Sequence, residues 1–225
     1  MKILYSGLVA GAVVLGITGC GGSGGQASGM GYSTVTSPHT GKIWLDRNLG
    51  ASRVCVSLDD TECYGDYYQW GREADGHQDP HSSITTVLSD TLHAGHGDFI
   101  AQSDDWTTAD ADGTERSAFW SLSDGSSICP QGFRVPTKEE LKAETVDVGV
   151  SDDVDAFNSF LKLPSAGYRH YSDGGLRQIG IYGHYWSATE SGIVAESSYL
   201  GFGPGIAAMF NDERAFAYPV RCIKE

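Results

Sequence analysis

The alternation of apolar and polar residues predicts short strands in both halves of the chain. Residues 42–49 alternate well enough for a half-buried strand. Residues 64–71 are dense in aromatic side chains with a period near two, which is typical of a second strand. In the C-terminal half, glycines separate further strand-like runs at residues 167–169, 183–187, 198–202, 206–211 and 218–223.

Two helices are predicted between these groups of strands. Pro136 keeps the preceding residue extended, and Thr137 can then cap a helix over residues 137–146, with Glu140 completing a capping box. A second helix is predicted from a Ser151 cap, because acidic residues occupy its first turn and apolar residues follow at helical spacing until Pro164.

The combined pattern indicates an α+β domain with two helices packed on short, mostly antiparallel strands and long irregular loops. Residues 72–118 are rich in Asp, Ser, Thr, Gly and His and show little periodicity, so we expect a long, mostly irregular region there.

The N-terminus predicts export and a lipid anchor. Lys2 precedes a short apolar run over residues 3–15, and residues 17–20 (Ile-Thr-Gly-Cys) resemble a bacterial lipobox. This resemblance implies a signal peptide over residues 1–19 and acylation of Cys20, with an ordinary secretory signal as the alternative. A Gly/Ser-rich tether over residues 20–31 would then precede a domain over residues 32–225. Since no aspartate follows Cys20, we expect the outer membrane, with the domain at the cell surface or facing the periplasm.

Composition narrows the partners and the use of the cysteines. The net charge of −14 argues against nucleic acid, whose phosphates need clustered Lys and Arg. Four cysteines remain beside Cys20, and an even number in an exported protein indicates two disulfides. Three pairings are possible. We favour Cys55–Cys63 and Cys129–Cys222 over a zinc site, since the chain has no Cys-x-x-Cys pair.

Other constellations do not assemble into a metal site or a catalytic site. His77, His81, His93 and His96 lie close in sequence, but no helix signal fixes a ligand geometry for them. Residues 110–115 have the Asp-x-Asp-Gly appearance of a calcium loop without its distal glutamate, which favours a solvated turn.

A serine–histidine pair is the one enzymatic arrangement that the sequence suggests. Ser187 lies three residues from His184, but no glycine elbow surrounds the serine and no third orienting group can be named. We therefore predict no enzyme activity, no cofactor and no metal.

Several spaced motifs resemble a known family over residues 42–225. They are Trp-Leu-Asp-Arg-Asn-Leu at 44–49, Tyr-Gly-Asp-Tyr-Tyr-Gln-Trp at 64–70, Cys-Pro-Gln-Gly-Phe-Arg-Val-Pro-Thr at 129–137, Leu-Pro-Ser-Ala-Gly-Tyr-Arg at 163–169, Tyr-Trp-Ser at 185–187 and Pro-Val-Arg-Cys at 219–222. Together they resemble the Fibrobacter major paralogous domain, allied to the domain of unknown function 1566. The resemblance implies a C-type-lectin-like fold related to the formylglycine-generating-enzyme type.

Lectin-like domains of this type also serve as display scaffolds that diversity-generating retroelements hypermutate near the C-terminus. By that resemblance, residues 181–218 form a ligand-facing surface, and Tyr suits such a surface because it offers a large contact area at low entropic cost. The predicted ligand-binding residues are Ile181, Tyr182, His184, Gly203, Ile206, Phe210, Asn211, Phe216 and Tyr218.

The exposure of the aromatic residues is a separate expectation. We expect Tyr182, His184, Phe210, Phe216 and Tyr218 to be exposed, and Trp186 and Phe202 to belong to the core.

The resulting hypothesis is a lipid-anchored surface module that binds an unknown protein or glycan ligand, in adhesin or receptor fashion. A structural or assembly component of the envelope is the alternative, and an enzyme of the same fold is a third.

Overall fold

The computed structural model describes residues 31–225. The predicted signal peptide, Cys20 and all but the last residue of the predicted tether lie outside the described residues. No helix in the described part of the chain is long and apolar enough to cross a membrane.

Three α-helices and many short strands make up the described domain. The helices are α1 (Thr114–Trp120), α2 (Lys138–Glu144) and α3 (Asp153–Asn158). The strands are β1 (Thr34–Thr36), β2 (Ile43–Leu45), β3 (Tyr68–Gln69), β4 (Ile84–Thr85), β5 (Phe99–Ile100), β6 (Phe133–Arg134), β7 (Tyr168–Arg169), β8 (Leu176–Arg177), β9 (Gly183–Glu190), β10 (Glu196–Gly203), β11 (Ile206–Glu213), β12 (Ala217–Tyr218) and β13 (Ile223–Lys224). Two 3-10 turns, Thr61–Cys63 and Val146–Val148, complete the elements.

The strands form four small sheets. One has the order β1-β2-β13-β6, the second β3-β12-β7-β8 and the third β11-β10-β9. All pairs in these three sheets are antiparallel, whereas the separate pair β4-β5 is parallel. The mixture of few helices and many short antiparallel strands confirms the α+β class. Because β13 lies between β2 and β6, the two ends of the domain share one sheet.

Helix α2 forms as its sequence predicts. The Thr137 side chain accepts a hydrogen bond from the Glu140 N–H, and the Glu140 carboxylate accepts one from the Thr137 N–H. These two bonds satisfy orphan donors of the first turn, so the helix start is set locally.

Helix α3 differs from its prediction at both ends. Its N-cap is Asp152, whose carboxylate accepts from the Asp155 N–H, while Ser151 instead donates its hydroxyl to the Asp155 carboxylate. The helix also ends at Asn158, well before Pro164. The apolar residues that suggested a longer helix, such as Leu161, are buried from an irregular segment.

Helix α1 was not predicted. Asp110 precedes this helix, and its carboxylate accepts hydrogen bonds from the N–H groups of Glu115 and Arg116 in the first turn. Residues 111–112, within the segment that resembled a calcium loop, form a turn, and the helix begins at Thr114. The prediction of two helices was wrong because this short helix is set by a cap four residues upstream of it rather than by periodicity.

The sheet β9-β10-β11 separates two parts of the hydrophobic core. Trp186 and Tyr199 pack on one face, whereas Tyr185, Leu200 and Phe202 pack on the other. Side chains alternate between faces along a strand, so each of these strands serves both parts of the core.

Both predicted disulfides are present. Cys55 and Cys63 are joined with a Cα–Cα distance of 5.1 Å, and Cys129 and Cys222 with 6.1 Å. The second bond spans 93 residues and connects the segment before β6 to the segment before β13.

The two disulfides should contribute unequally to stability. Replacing Cys129 and Cys222 together by Ala should lower the free energy of unfolding by about 4–5 kcal/mol, because this bond closes a long loop in the unfolded chain. The same replacement of Cys55 and Cys63, whose loop is short, should cost about 2–3 kcal/mol. Chemical denaturation of the two double variants beside the wild type measures the difference. An equal or reversed order would contradict the loop-closure argument.

Candidate functional site

The candidate site lies on the face of β9-β10-β11 that carries His184. Across the three strands, Gly201 pairs with His184 on one side and with Ala208 on the other. One step along, Tyr199 pairs with Trp186 and with Phe210. Two rows of residues therefore lie side by side on this face. One row contains His184 and the small residues Gly201 and Ala208, and the other contains the aromatic residues Trp186, Tyr199 and Phe210.

A pocket of about 240 Å³ opens above the row with the small residues. Its lining consists of Gln178, Tyr182, His184, Tyr199, Gly201, Phe202, Ile206 and Phe210. A Cβ at Gly201 would lie 2.9 Å from Phe210 Cδ2 and 3.0 Å from Tyr199 Cε2, so the two rings close over this glycine. Gly201 itself forms part of the pocket lining.

The aromatic rings around the pocket follow one another in a row. The His184 ring stacks on Tyr199 at 5.5 Å between centroids, and Tyr199 is 5.7 Å from Phe210. Tyr182 lies on the other side of His184, at 6.4 Å. Tyr168 meets His184 edge-on at 4.8 Å. Offset and edge-on contacts of this kind each add a fraction of a kcal/mol to about 1.5 kcal/mol beyond area burial.

The Nδ1 atom of His184 is buried and makes no hydrogen bond to the described residues. Its side chain lines the pocket, and the residue is 9% exposed. Nδ1 has no hydrogen-bond partner among residues 31–225. Burial lowers the pKa of His184 to about 4, so the ring is neutral at neutral pH. An unpartnered buried polar group costs about 1–3 kcal/mol. Because Nδ1 is shielded from solvent, a ligand in the pocket could bond the ring only at Nε2.

An unusual carboxyl group lies beside the aromatic row. Burial, together with its hydrogen bond to Glu213, raises the pKa of Asp212 to about 7. The Tyr218 hydroxyl donates to Asp212 Oδ2 at 2.5 Å. Because Tyr218 is fully buried, this bond gives its phenol a partner inside the protein.

The structure brings four of the predicted ligand-binding residues together at the pocket: Tyr182, His184, Ile206 and Phe210. Ile181 is 51% exposed and is the neighbour of Tyr182 in the chain. Gly203 is buried, and the Tyr182 ring covers it.

Asn211 is exposed but does not belong to the pocket. It follows Phe210 in β11 and so faces the opposite side of the sheet, where its Oδ1 accepts from the Ser198 hydroxyl at 2.9 Å.

Three exposure predictions were wrong. His184, Phe216 and Tyr218 are buried, whereas Tyr182 is half-buried and Phe210 is 36% exposed. Phe216 packs edge-on against residues from the β7 region, which covers it, and Tyr218 stacks on Trp186 at 4.3 Å. Trp186 and Phe202 lie in the core, as expected.

Four lining residues were absent from the predicted set: Gln178, Tyr199, Gly201 and Phe202. Tyr199 lies two residues from Gly201 on the same strand, so the period of two could have placed them on one face. Gln178 follows β8 in a left-handed backbone conformation (φ 56°), and no sequence pattern indicated it.

The other constellations have structural roles. His77 is fully buried, with Nδ1 2.8 Å from the Asp75 carboxylate and Nε2 accepting from the Gln69 N–H at 3.0 Å. Among the described residues, no group of three His, Cys, Asp or Glu side chains could hold a metal ion. Ser187 donates its hydroxyl to the Ser198 carbonyl at 2.7 Å rather than to His184.

The comparisons with known proteins give a limited result. A family described as a domain of unknown function (DUF8237) matches residues 115–223, which include the whole pocket and just under half of the chain. No curated protein and no solved structure matches. The chain is therefore similar to a family that carries no assigned activity.

Replacing His184 by Phe should stabilise the protein. At pH 7 the free energy of unfolding should rise by about 1 kcal/mol, because a buried group without a partner is removed. The variant should also tolerate acid better. The unfolded imidazole binds a proton near pH 6.5 and the folded one only near pH 4, so the wild type loses stability as the pH falls between these values. From pH 7 to pH 5 the loss through His184 should be about 2 kcal/mol.

His77→Phe is the matched control. Burial lowers the pKa of His77 to about 4 as well, but both of its ring nitrogens have partners. Its replacement should therefore destabilise the protein at pH 7. Chemical denaturation at several pH values compares the two variants with the wild type. A loss of stability in His184→Phe as large as that in His77→Phe would show that His184 is held by a bond of its own.

Proposed function

We propose that this protein is a ligand-binding module and that the pocket on β9-β10-β11 is its binding site. The observation that carries the proposal is an open pocket walled by aromatic rings, whose lining includes one neutral, buried histidine. Binding pockets combine apolar walls with a few placed polar groups, and this one has that composition.

The pocket favours binding over the two other candidate functions. A structural component needs no open apolar pocket, and exposed apolar surface such as Ile206 and Phe210 is costly unless a partner covers it. For an enzyme, the nearest nucleophile would be Ser187, but its hydroxyl already donates to a backbone carbonyl. No carboxylate lines the pocket to act with His184 as an acid or base.

The finer proposal is a C-type-lectin-like domain displayed by a bacterial lipoprotein. Acylation of Cys20 would attach it to the outer membrane, and the Gly/Ser-rich segment would let the domain reach a protein or glycan ligand. Two disulfides support export, since such bonds persist in oxidising compartments.

The sharpest version is a receptor whose C-terminal surface is diversified by a retroelement. The exposed residues Ile181, Ile206 and Phe210 surround the pocket, whereas Trp186 and Cys222 are buried in the frame. A diversified receptor would vary the first group and keep the second, because buried large residues tolerate replacement poorly.

Sequencing this gene from many cells of one population tests the diversified version. Substitutions should concentrate in the codons of residues such as Ile181, Ile206 and Phe210, with Trp186 and Cys222 constant. An even spread of substitutions, or none, would contradict diversification and leave a receptor with a fixed surface.

Filling the pocket should abolish binding. Gly201→Leu places a side chain at the pocket, where the rings of Phe210 and Tyr199 are nearest to the added Cβ and have to shift. The full-length protein and the variant are compared on arrays of immobilised glycans and purified bacterial surface proteins. Ligands of the wild type should be lost by Gly201→Leu and kept by Thr36→Leu, an exposed position on β1.

Near-UV circular dichroism checks that Gly201→Leu retains the packed core. If the folded variant keeps every ligand of the wild type, the pocket is not the binding site.

A further inference from the structure

The lining of the pocket excludes charged ligand groups as its preferred occupants. No Asp, Glu, Lys or Arg side chain lines it, and its one titratable imidazole, His184, is neutral because of its burial. A charged group would lose its hydration there without gaining a partner of opposite charge. The occupant is therefore neutral.

The dimensions and walls of the pocket suit a single ring. Its volume of about 240 Å³ is below the roughly 300–1,000 Å³ of pockets that hold whole small molecules. Tyr182, Tyr199 and Phe210 present aromatic rings around the space, and aromatic rings prefer offset or edge-on contact with another ring.

His184 adds one polar requirement. A neutral imidazole has one nitrogen that donates and one that accepts. Nδ1 has no partner among the described residues and is shielded from solvent, so a ligand in the pocket can reach the ring only at Nε2. A ring that carries an N–H or O–H group could donate to Nε2 when the imidazole carries its proton on Nδ1. A purely apolar ring would leave the imidazole unsatisfied.

The surroundings of the pocket favour a protein as the source of the ring. Ile181, Ile206 and Phe210 expose apolar surface at or beside the pocket, which a free sugar or amino acid is too small to cover. A sugar also needs several convergent polar groups. Apart from the Tyr phenols, the polar side chains in the lining are those of Gln178 and His184. Protein interfaces, in contrast, place aromatic anchors in apolar pockets with an apolar surround.

We propose that the pocket receives one tryptophan or tyrosine side chain of a protein partner, whose indole N–H or phenol O–H bonds His184. The proposal rests on the proposed function and adds the class of ligand. The aromatic walls would hold the ring, His184 would select for its polar hydrogen, and the exposed apolar residues beside the pocket would contact the rest of the partner.

The test uses capped single residues as probes for the full-length protein. N-acetyl-tryptophanamide, N-acetyl-tyrosinamide, N-acetyl-phenylalaninamide, N-acetyl-argininamide and methyl glucoside are titrated while NMR follows the ring signals of His184 and Tyr199. The tryptophan and tyrosine probes should bind in the millimolar range, since a single ring uses only part of the interface. The phenylalanine probe should bind about 3- to 10-fold more weakly than the tyrosine probe, the value of one hydrogen bond. The arginine and sugar probes should not shift these signals.

Two variants separate the contributions of shape and of the hydrogen bond. His184→Phe should keep the pocket but remove the preference for tyrosine over phenylalanine. Gly201→Leu should abolish the shifts with every probe. Leu122→Ala, an exposed apolar residue outside the pocket, is the control and should bind like the wild type.

Each other outcome overturns the proposal in a distinguishable way. Equal binding of the tyrosine and phenylalanine probes to the wild type would mean that His184 makes no bond to the ligand. Stronger binding of methyl glucoside would identify a carbohydrate pocket instead. If no aromatic probe shifts the signals while Gly201→Leu still abolishes binding on the arrays, the aromatic anchor is wrong and the binding module stands.

Discussion

One buried guanidinium, that of Arg221, links four separate segments of the fold. This side chain is fully buried and donates to Asn48 Oδ1 from Nε (3.2 Å) and Nη2 (2.8 Å), and to the Leu161 carbonyl from Nη1 (2.6 Å). Asn48 in turn donates to the Tyr185 hydroxyl at 3.1 Å. These bonds join the segment before β13 to the segment after β2, the segment after α3 and β9. Burial lowers the pKa of Arg221 to about 10, so it still carries its charge at neutral pH. Removing Asn48 would take away the acceptor of two of these hydrogen bonds and leave the buried charge with backbone carbonyls alone, so we expect that loss to be destabilising.

The parts of the fold that could be predicted from the sequence are those that neighbouring residues determine. The capping box of α2 needs only Thr137 and Glu140, and it formed as expected. Short strands with a period of two were also predictable, although β3 has only two residues of the longer run that was expected. Helix α1 was missed because the turn before it is held from far along the chain: Arg214 donates to the carbonyls of Ala111 and Asp112, each at 2.9 Å. No local pattern contains that information.

Part of the candidate site was also predictable from the sequence. Tyr182, His184, Ile206 and Phe210 belong to the C-terminal strands that the resemblance indicated, and the pocket unites them. What the sequence could not show is which side of each strand faces solvent. Phe216 and Tyr218 are covered by Tyr168, a residue almost fifty positions away, and the pairing of His184 with Gly201 sets the depth of the pocket. Burial at a sheet depends on what packs against it, so single-strand patterns leave it open.

Two buried histidines differ in how their nitrogens are bonded. Burial lowers the pKa of both His77 and His184 to about 4. His77 has Asp75 and Gln69 as partners and serves only to hold the chain, whereas His184 lacks a partner for Nδ1. A group that costs stability persists in a domain only when the rest of the structure, here two disulfides and the Arg221 network, can offset it. Since apolar Phe or Leu would fill the same space without that cost, packing alone does not account for His184, whereas the proposed binding site gives its ring a role.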